Sequence, residues 1–347
     1  MAYFFKLPPI TDLTPEQQSA LNDPNPIAIS GGPGTGKSVV SLWRHIRNYA
    51  TNNSKSLLLT YTKTLEAYLS ASAKSEADNV TNANEKQRIL ESSKNVDRTY
   101  WWLTHKKTPY EEIIVDEAQD VKLKNYDNLK EYSTSLSYGA DPGQSIYLTQ
   151  DELNELNKGL KLLFPNSEYM LSENFRNTKQ IVQFIKSIFP NKLISPSKED
   201  GLKPQLILSN GKMDNQKKAI IELINQLKSD THNIVVLLPL KEHVKMYYNF
   251  ISSQKILCSQ YYDGLAFKGI ENVHITTFKS CKGTEFHTVI IPGFDKMEEI
   301  IAAKDVVEKE DYYVAMTRAR NNLYLFASNK PSFLSKASLE LCEISTI

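Results

Sequence analysis

The sequence is poor in cysteine, in long apolar runs and in unbalanced charge. Its 347 residues hold three cysteines, Cys258, Cys281 and Cys342, which are odd in number, far apart and without metal-ligand spacing. That pattern excludes a disulfide framework and sets a structural zinc aside. No run approaches the roughly 20 apolar residues that a bilayer span needs. Met1 to Leu7, followed by Pro8-Pro9, has neither the basic start nor the apolar core of a secretory signal. A cytoplasmic location with no membrane partner is the expectation. Net charge is +1 with 23% charged residues, so bulk electrostatics demand no polyanionic partner, and any nucleic-acid site has to be a local channel. Repeats at solenoid periods are missing as well. The one polar stretch of low hydrophobicity, Ser70 to Asn95, reads as a surface excursion.

What is present is a hydrophobic content of 41%, enough for real cores, in a chain whose length favours two domains. Short apolar runs recur between helical patterns: Ile27 to Ile29, Ser56 to Leu59, Ile113 to Val115, Leu136 to Tyr138 and Tyr169 to Leu171. A second series follows at Gln205 to Leu208, Ile234 to Leu238, Val273 to Thr276, Thr288 to Ile291 and Leu323 to Phe326. Runs of this kind, apolar without alternation, are the mark of parallel strands covered on both faces. The predicted class is α/β, two tandem units with mostly parallel sheets. A proline turn at Phe164-Pro165-Asn166 places the break there, giving 1–165 and 166–347.

Chemistry enters with Gly31-Gly32-Pro33-Gly34-Thr35-Gly36-Lys37-Ser38, which follows an apolar strand and opens the helical stretch Val39 to Tyr49. Glycines let backbone N–H groups curl around phosphates at a helix N-terminus. Lys37 is positioned to reach the outer phosphates, and the Ser38 hydroxyl to join a Mg²⁺ shell. Downstream, Asp116-Glu117-Ala118-Gln119-Asp120 follows the strand Ile113 to Val115, so its first carboxylates lie at a strand end. Alone such a cluster is most often a solvated loop. Paired with the phosphate loop, it predicts Asp116 as the Mg²⁺ ligand and Glu117 as the group that orients the attacking water. ATP and Mg²⁺ are the expected cofactors.

Together with several downstream segments, these motifs resemble the UvrD/Rep/PcrA type of superfamily 1 helicase in order and character, over most of the chain. The resemblance implies two recA-like halves with nucleotide in the cleft between them. Leu13-Thr14-Pro15-Glu16-Gln17 is similar to the family's Q motif, which assigns Gln17 to the adenine edge. Leu57 to Lys63 resembles motif Ia, implying strand contacts from Thr60, Tyr61 and Lys63. Tyr138 to Tyr147 resembles motif III, with Gln144 coupling the γ-phosphate to the strand channel and Tyr147 near the strand. Leu171 to Asn177 resembles motif IV, which makes Phe175 a base-stacking residue and Arg176 a γ-phosphate ligand. Thr277 to Phe286 resembles motif V, implying Glu285 near the ribose and Ser280 and Lys282 near the strand. Its Lys-Gly-x-Glu-Phe form resembles the 3′→5′ branch. Tyr313 to Ala319 resembles motif VI, in which Arg318 is the second γ-phosphate arginine.

The chain departs from that pattern in two places. Large insertions are lacking: only a small one, at about 70–108 and containing Tyr100-Trp101-Trp102, fits before motif II, and for these aromatics core packing is the favoured reading over base stacking. After Tyr147 the family continues with arginine and a base-stacking tryptophan, where this chain has Leu148-Thr149-Gln150. The resemblance therefore implies a nucleic-acid-dependent ATPase moving 3′→5′ on single strands, DNA favoured over RNA, with unwinding weak or partner-dependent. The alternative is an ATP-gated regulatory subunit of a nuclease or toxin effector, as in bacterial phage defence. A metabolic P-loop kinase gives no reason for Arg176 and Arg318 in these contexts.

Overall fold

The structure, a computed structural model, describes residues 7–51, 54–145, 147–303 and 307–347; Met1 to Lys6 and Ile146, quoted above, lie outside them. The chain divides into two compact units, Phe5–Glu173 and Asn174–Ile347.

The first unit is a sheet of six parallel strands: β1 (Ile27–Gly31), β2 (Ser56–Thr60), β3 (Val96–Arg98), β4 (Glu112–Val115), β5 (Leu136–Ala140) and β6 (Ser167–Leu171), in the order β3-β2-β4-β5-β1-β6. Every residue of β2, β4 and β5 is buried, as a strand covered by helices on both faces must be. The helices that concern the site are α1 (Pro15–Asn22), α2 (Lys37–Ala50), α3 (Lys63–Glu76), α4 (Ala83–Lys94) and α5 (Thr99–His105). The second unit is a sheet of seven parallel strands, β7 (Gln205–Leu208), β8 (Ile234–Leu238), β9 (Ser259–Tyr261), β10 (Val273–Thr277), β11 (Phe286–Ile291), β12 (Ala319–Ala327) and β13 (Glu343–Thr346), in the order β13-β7-β12-β11-β8-β10-β9. The two-unit parallel α/β class is therefore as expected.

Two expectations are corrected. The break does not fall at Pro165: β6 pairs in parallel with β1, from Ile27 beside Ser167 to Gly31 beside Leu171, and so completes the first sheet. The proline turn only ends the helix Gln150–Leu163. Nor is Ser70 to Asn95 a surface excursion. It forms most of α3 and α4, which pack on one another and on α2, and β3 then joins the sheet beside β2. The pattern was invisible because the buried positions are small or polar, among them Ser72, Ala73, Ser92 and Ser93. His45 of α2 ties the layers together, with one ring nitrogen 2.8 Å from Ser56 Oγ and the other 3.0 Å from the Ser92 carbonyl.

A buried ion pair fastens the neighbouring strand at the same end of the sheet, where Glu112 is paired with Ser56. Arg44 of α2 donates to Glu112 Oε1 at 2.7 Å and to the Asp23 and Asn25 carbonyls at 2.8 Å each. Asn48 and Ser137 also donate to Glu112, and Ser137 Oγ accepts from Ile27 N. One carboxylate thereby sets α2, β4, β5 and the start of β1 against each other.

Two predictions follow from this core. Glu112→Ala strands the Arg44 guanidinium without its carboxylate and should lower stability by about 3–5 kcal/mol in urea unfolding; a loss under 1 kcal/mol would mean that Arg44 finds water instead. Burial holds His45 down at about 4, from an ordinary 6.5, so its neutral form contributes stability above pH 6.5 that is lost as pH falls toward 4. The loss is about 3 kcal/mol. His45→Gln should flatten the stability profile in that window, and an unchanged acid slope would remove His45 as its source.

Candidate nucleotide site

The phosphate loop begins where β1 runs out between β5 and β6. Gly31 is needed there because a Cβ would lie 2.6 Å from the Leu171 carbonyl oxygen and 2.7 Å from Thr35 Oγ1. Gly36, the residue before α2, has φ +88°, and a Cβ on it would meet Gln17 Nε2 at 2.3 Å. Gln17 is buried and doubly engaged. Its Oε1 accepts from Thr14 N at 2.9 Å, closing a capping box at the start of α1, while its Nε2 donates to the Thr35 carbonyl at 2.9 Å. The side chain assigned to the adenine edge thus braces the phosphate loop in this structure.

Lys37 opens α2 with its ammonium folded back on the loop, 2.9 Å from the Gly31 carbonyl and 2.8 Å from that of Gly32, with Asp141 Oδ2 3.9 Å away. Asp116 sits at the end of β4, fully buried. Burial first, and the adjacent Glu117 second, push its carboxyl well above the ordinary range, against the opposing pull of the Ser38 hydroxyl and Lys37. Its Oδ2 is buried and accepts no hydrogen bond among the described residues. A bare carboxylate oxygen beside a serine hydroxyl at a phosphate loop is a donor set that suits a small hard cation sharing phosphate oxygens.

Glu117 takes a left-handed backbone (φ 57°, ψ 43°), which turns its side chain out of the strand line. Gln119 holds it. The Gln119 amide donates to Glu117 Oε2 and accepts from Asp141 N at 2.9 Å. Asp141 then receives Gln144 Nε2 at 2.6 Å and Gly143 N at 3.0 Å. Glu117 and Gln144 therefore belong to one hydrogen-bonded chain through Gln119 and Asp141. Neither linking residue was picked out by the sequence reading. The signal was the glutamine two residues after Glu117 and the aspartate at the end of β5.

The second unit holds its assigned residues in a separate cluster. Arg176 Nε donates to Glu285 Oε2 and Arg320 to Oε1, both at 2.9 Å. Burial alone would raise the Glu285 carboxyl, but Arg176 and Arg320, with Arg318 beyond them, hold it below its ordinary value. Arg318 is 1% exposed, donating to the Val314 and Thr284 carbonyls and to Thr317 Oγ1. Arg320, which the sequence reading missed, is the partner that makes Glu285 doubly paired rather than open to a sugar. Phe175 is 44% exposed.

Of the residues assigned to a strand, Tyr61, Lys63 and Tyr147 reach solvent, whereas Thr60, Ser280 and Lys282 are buried. For Thr60 and Lys282, at 0% and 1% exposure, surface contact is corrected: Thr60 lies inside fully buried β2, and its carbonyl accepts from Thr99 Oγ1. Ser280 accepts from Thr277 Oγ1 at 2.9 Å.

Comparison with known proteins agrees with this geometry. Residues 17–149 match an AAA domain family, and residues 249–330 match the UvrD-like helicase C-terminal domain family. Protein R568 of Acanthamoeba polyphaga mimivirus, named as a candidate ATP-dependent DNA helicase, is 24% identical over 242 residues. That match covers 61% of this chain and 34% of R568. The RecBCD enzyme subunit RecB of Chlamydia pneumoniae is 36% identical over 69 residues, which are 20% of this chain and 6% of RecB. The chain thus spans about a third or less of the relatives it matches. Among solved structures, S. cerevisiae Dbp5 bound to RNA and ADP BeF3 superposes with a TM-score of 0.57 at 12% identity, covering 96% of this chain and 89% of that one, a likeness of fold.

Gly36→Ala should weaken binding of a fluorescent ATP analogue about tenfold or more, because the left-handed turn and the Gln17 brace both resist the methyl group. Wild-type affinity would show that the loop yields freely. An AAA domain match over the phosphate loop and a UvrD-like helicase C-terminal domain match in the second unit, in the order their motifs run, support a helicase-like ATPase of the UvrD type.

Proposed function

We propose that the chain is a single-strand-dependent ATPase that couples hydrolysis to 3′→5′ movement on nucleic acid, DNA before RNA, with unwinding weak or dependent on a partner. The observation that carries the reading is the convergence of Lys37, the bare oxygen of Asp116 and the positioned Glu117 in one site.

In this reading Lys37 leaves its two carbonyl partners for the outer phosphates, while loop N–H groups take the remaining oxygens. Ser38 and Asp116 hold Mg²⁺, which when bound neutralises charge on the phosphate oxygens. A cation held there would offset the cost that burial places on the Asp116 anion. Glu117 accepts a hydrogen bond from the attacking water and aims it in line. Gln144 senses the γ-phosphate, and its tie to Asp141 passes the change to Gln119. Arg176 and Arg318 supply the cations that meet charge developing in phosphoryl transfer; the fixed guanidinium of Arg318 is suited to that, since it has no side-chain freedom to lose. Phe175 stacks on the base, and Gln17 reads the adenine edge by exchanging its Thr35 bond. Tyr61, Lys63 and Tyr147 form the solvent-facing start of the strand path.

One observation favours the second reading, an ATP-gated regulatory subunit of a nuclease or toxin effector. Where the family's stacking tryptophan would stand, Thr149 instead forms a capping box with Glu152 and starts the helix Gln150–Leu163.

Steady-state ATP hydrolysis, with and without single-stranded DNA or RNA, separates the two. Strong stimulation by a strand is expected. Glu117→Gln should keep ATP binding and lose about a hundredfold or more in turnover. Turnover near that of wild type in Glu117→Gln would remove the carboxylate assignment, and hydrolysis indifferent to every strand would hand the case to the regulatory reading.

A further inference from the structure

The aromatic triplet of the first unit divides by burial. Trp102 is fully buried and packs edge-on against Tyr132, 5.2 Å away, in the core. Tyr100 and Trp101 are 39% and 44% exposed. A core explanation covers the first tryptophan and leaves the second facing water, where a large apolar side chain calls for another reason.

The surroundings of Trp101 supply one. Its ring lies on that of His105, with centroids 3.6 Å and planes 14° apart, and the Arg98 guanidinium is 5.6 Å from its centroid. Tyr100, the preceding residue of α5, meets Tyr61 edge-on at 5.7 Å, and Tyr61 lies 4.2 Å from Tyr147. Aromatic faces therefore continue from the end of β2 onto α5. Trp101 also walls a cavity of about 500 Å³ bordered by Lys74, Lys94 and Lys106, with Glu66 and Asp97 as its carboxylates. Both carboxylates are paired already, Asp97 with Lys106 at 2.7 Å and Glu66 with Lys63 and Arg98 at 2.7 and 3.3 Å. The charge left for an incoming ligand is the positive charge of Lys74 and Lys94, both exposed.

We infer that the Trp101–His105 pair is a stacking platform for a base of a single strand, with Lys74 and Lys94 taking the adjoining phosphates. The pairing of a flat aromatic face with nearby ammonium groups is the chemistry of sequence-tolerant single-strand binding. The platform occupies the small insertion and supplies the stacking surface that the segment after Tyr147 lacks. This inference rests on the strand-dependent reading above.

The test titrates the whole chain with labelled oligothymidylate and oligouridylate, following both anisotropy and tryptophan emission. Trp102 is buried and Trp43 is bonded to the Pro8 carbonyl, so a base on Trp101 should quench the wild-type emission. Trp101→Ala should bind about tenfold more weakly. Trp101→Phe should keep most of the affinity and lose the quenching. Lys74→Glu combined with Lys94→Glu should weaken binding and flatten its salt dependence. If Trp101→Ala binds as wild type does, or if quenching persists in Trp101→Phe, the platform is overturned while strand binding by the wild type leaves the strand-dependent reading standing. Binding of neither strand by the wild type takes both down.

Discussion

The ammonium of Lys37 is nearly out of water, and its two backbone acceptors belong to the loop that it serves. Withdrawing a cation from solvent is costly unless hydrogen bonds and opposite charge replace its hydration. Much of the first unit satisfies that demand. Carbonyls of Gly31 and Gly32 take the ammonium, Asp141 stands near it, and Asp116 closes the same volume at a strand end. The loop can bend this tightly because Gly31 and Gly36 put no side chain in the way. The carboxylates, for their part, tolerate their burial only in the field of Lys37 and the hydroxyls and amides around them. Through the Gly31 and Gly32 carbonyls the lysine ties the loop to the start of α2.

The second unit solves a similar problem by different means. Glu285 is shared between Arg176 and Arg320, so one carboxylate orients two guanidiniums. Arg318 is oriented by two carbonyls and a hydroxyl. Carbonyl partners fix direction without neutralising charge.

Much of this was readable from the chain. Ile27 to Ile29, Ile113 to Val115 and Ile234 to Leu238 are apolar on every residue, and only doubly covered parallel strands need that. The phosphate loop was legible because its glycines answer local backbone requirements. Legibility failed where the decisive contact lay through space. Gln119 acts through Asp141 at the end of the next strand of the sheet, and its place two residues after Glu117 does not reveal that partner. The short edge strands β3, β9 and β13 carry polar residues such as Asp97, Gln260 and Glu343, suited to a sheet margin and silent in an apolar pattern. The second half of α3 and all of α4 bury mainly serine and alanine, with Ile89 the one large apolar residue, so over this stretch the hydrophobic period fades. In β2, where all positions are inside, no alternation could have warned that Thr60 faces the interior.

The strand order carries a consequence for synthesis. β1 is the first strand made, yet its neighbours are β5 and β6, the last two of its sheet. The wall against which Gly31 is fitted, the carbonyl of Leu171, emerges from the ribosome long after the phosphate loop itself. Until then β1 has no partner on either side, and nucleotide cannot help the nascent chain by binding a site that does not yet exist. Non-local closure of this kind slows folding, and an unpaired apolar strand is open to wrong partners in the meantime. The early helices, α1 closed by its capping box and α2 tied by Arg44 to the Asp23 and Asn25 carbonyls, are what can shelter β1 during that wait.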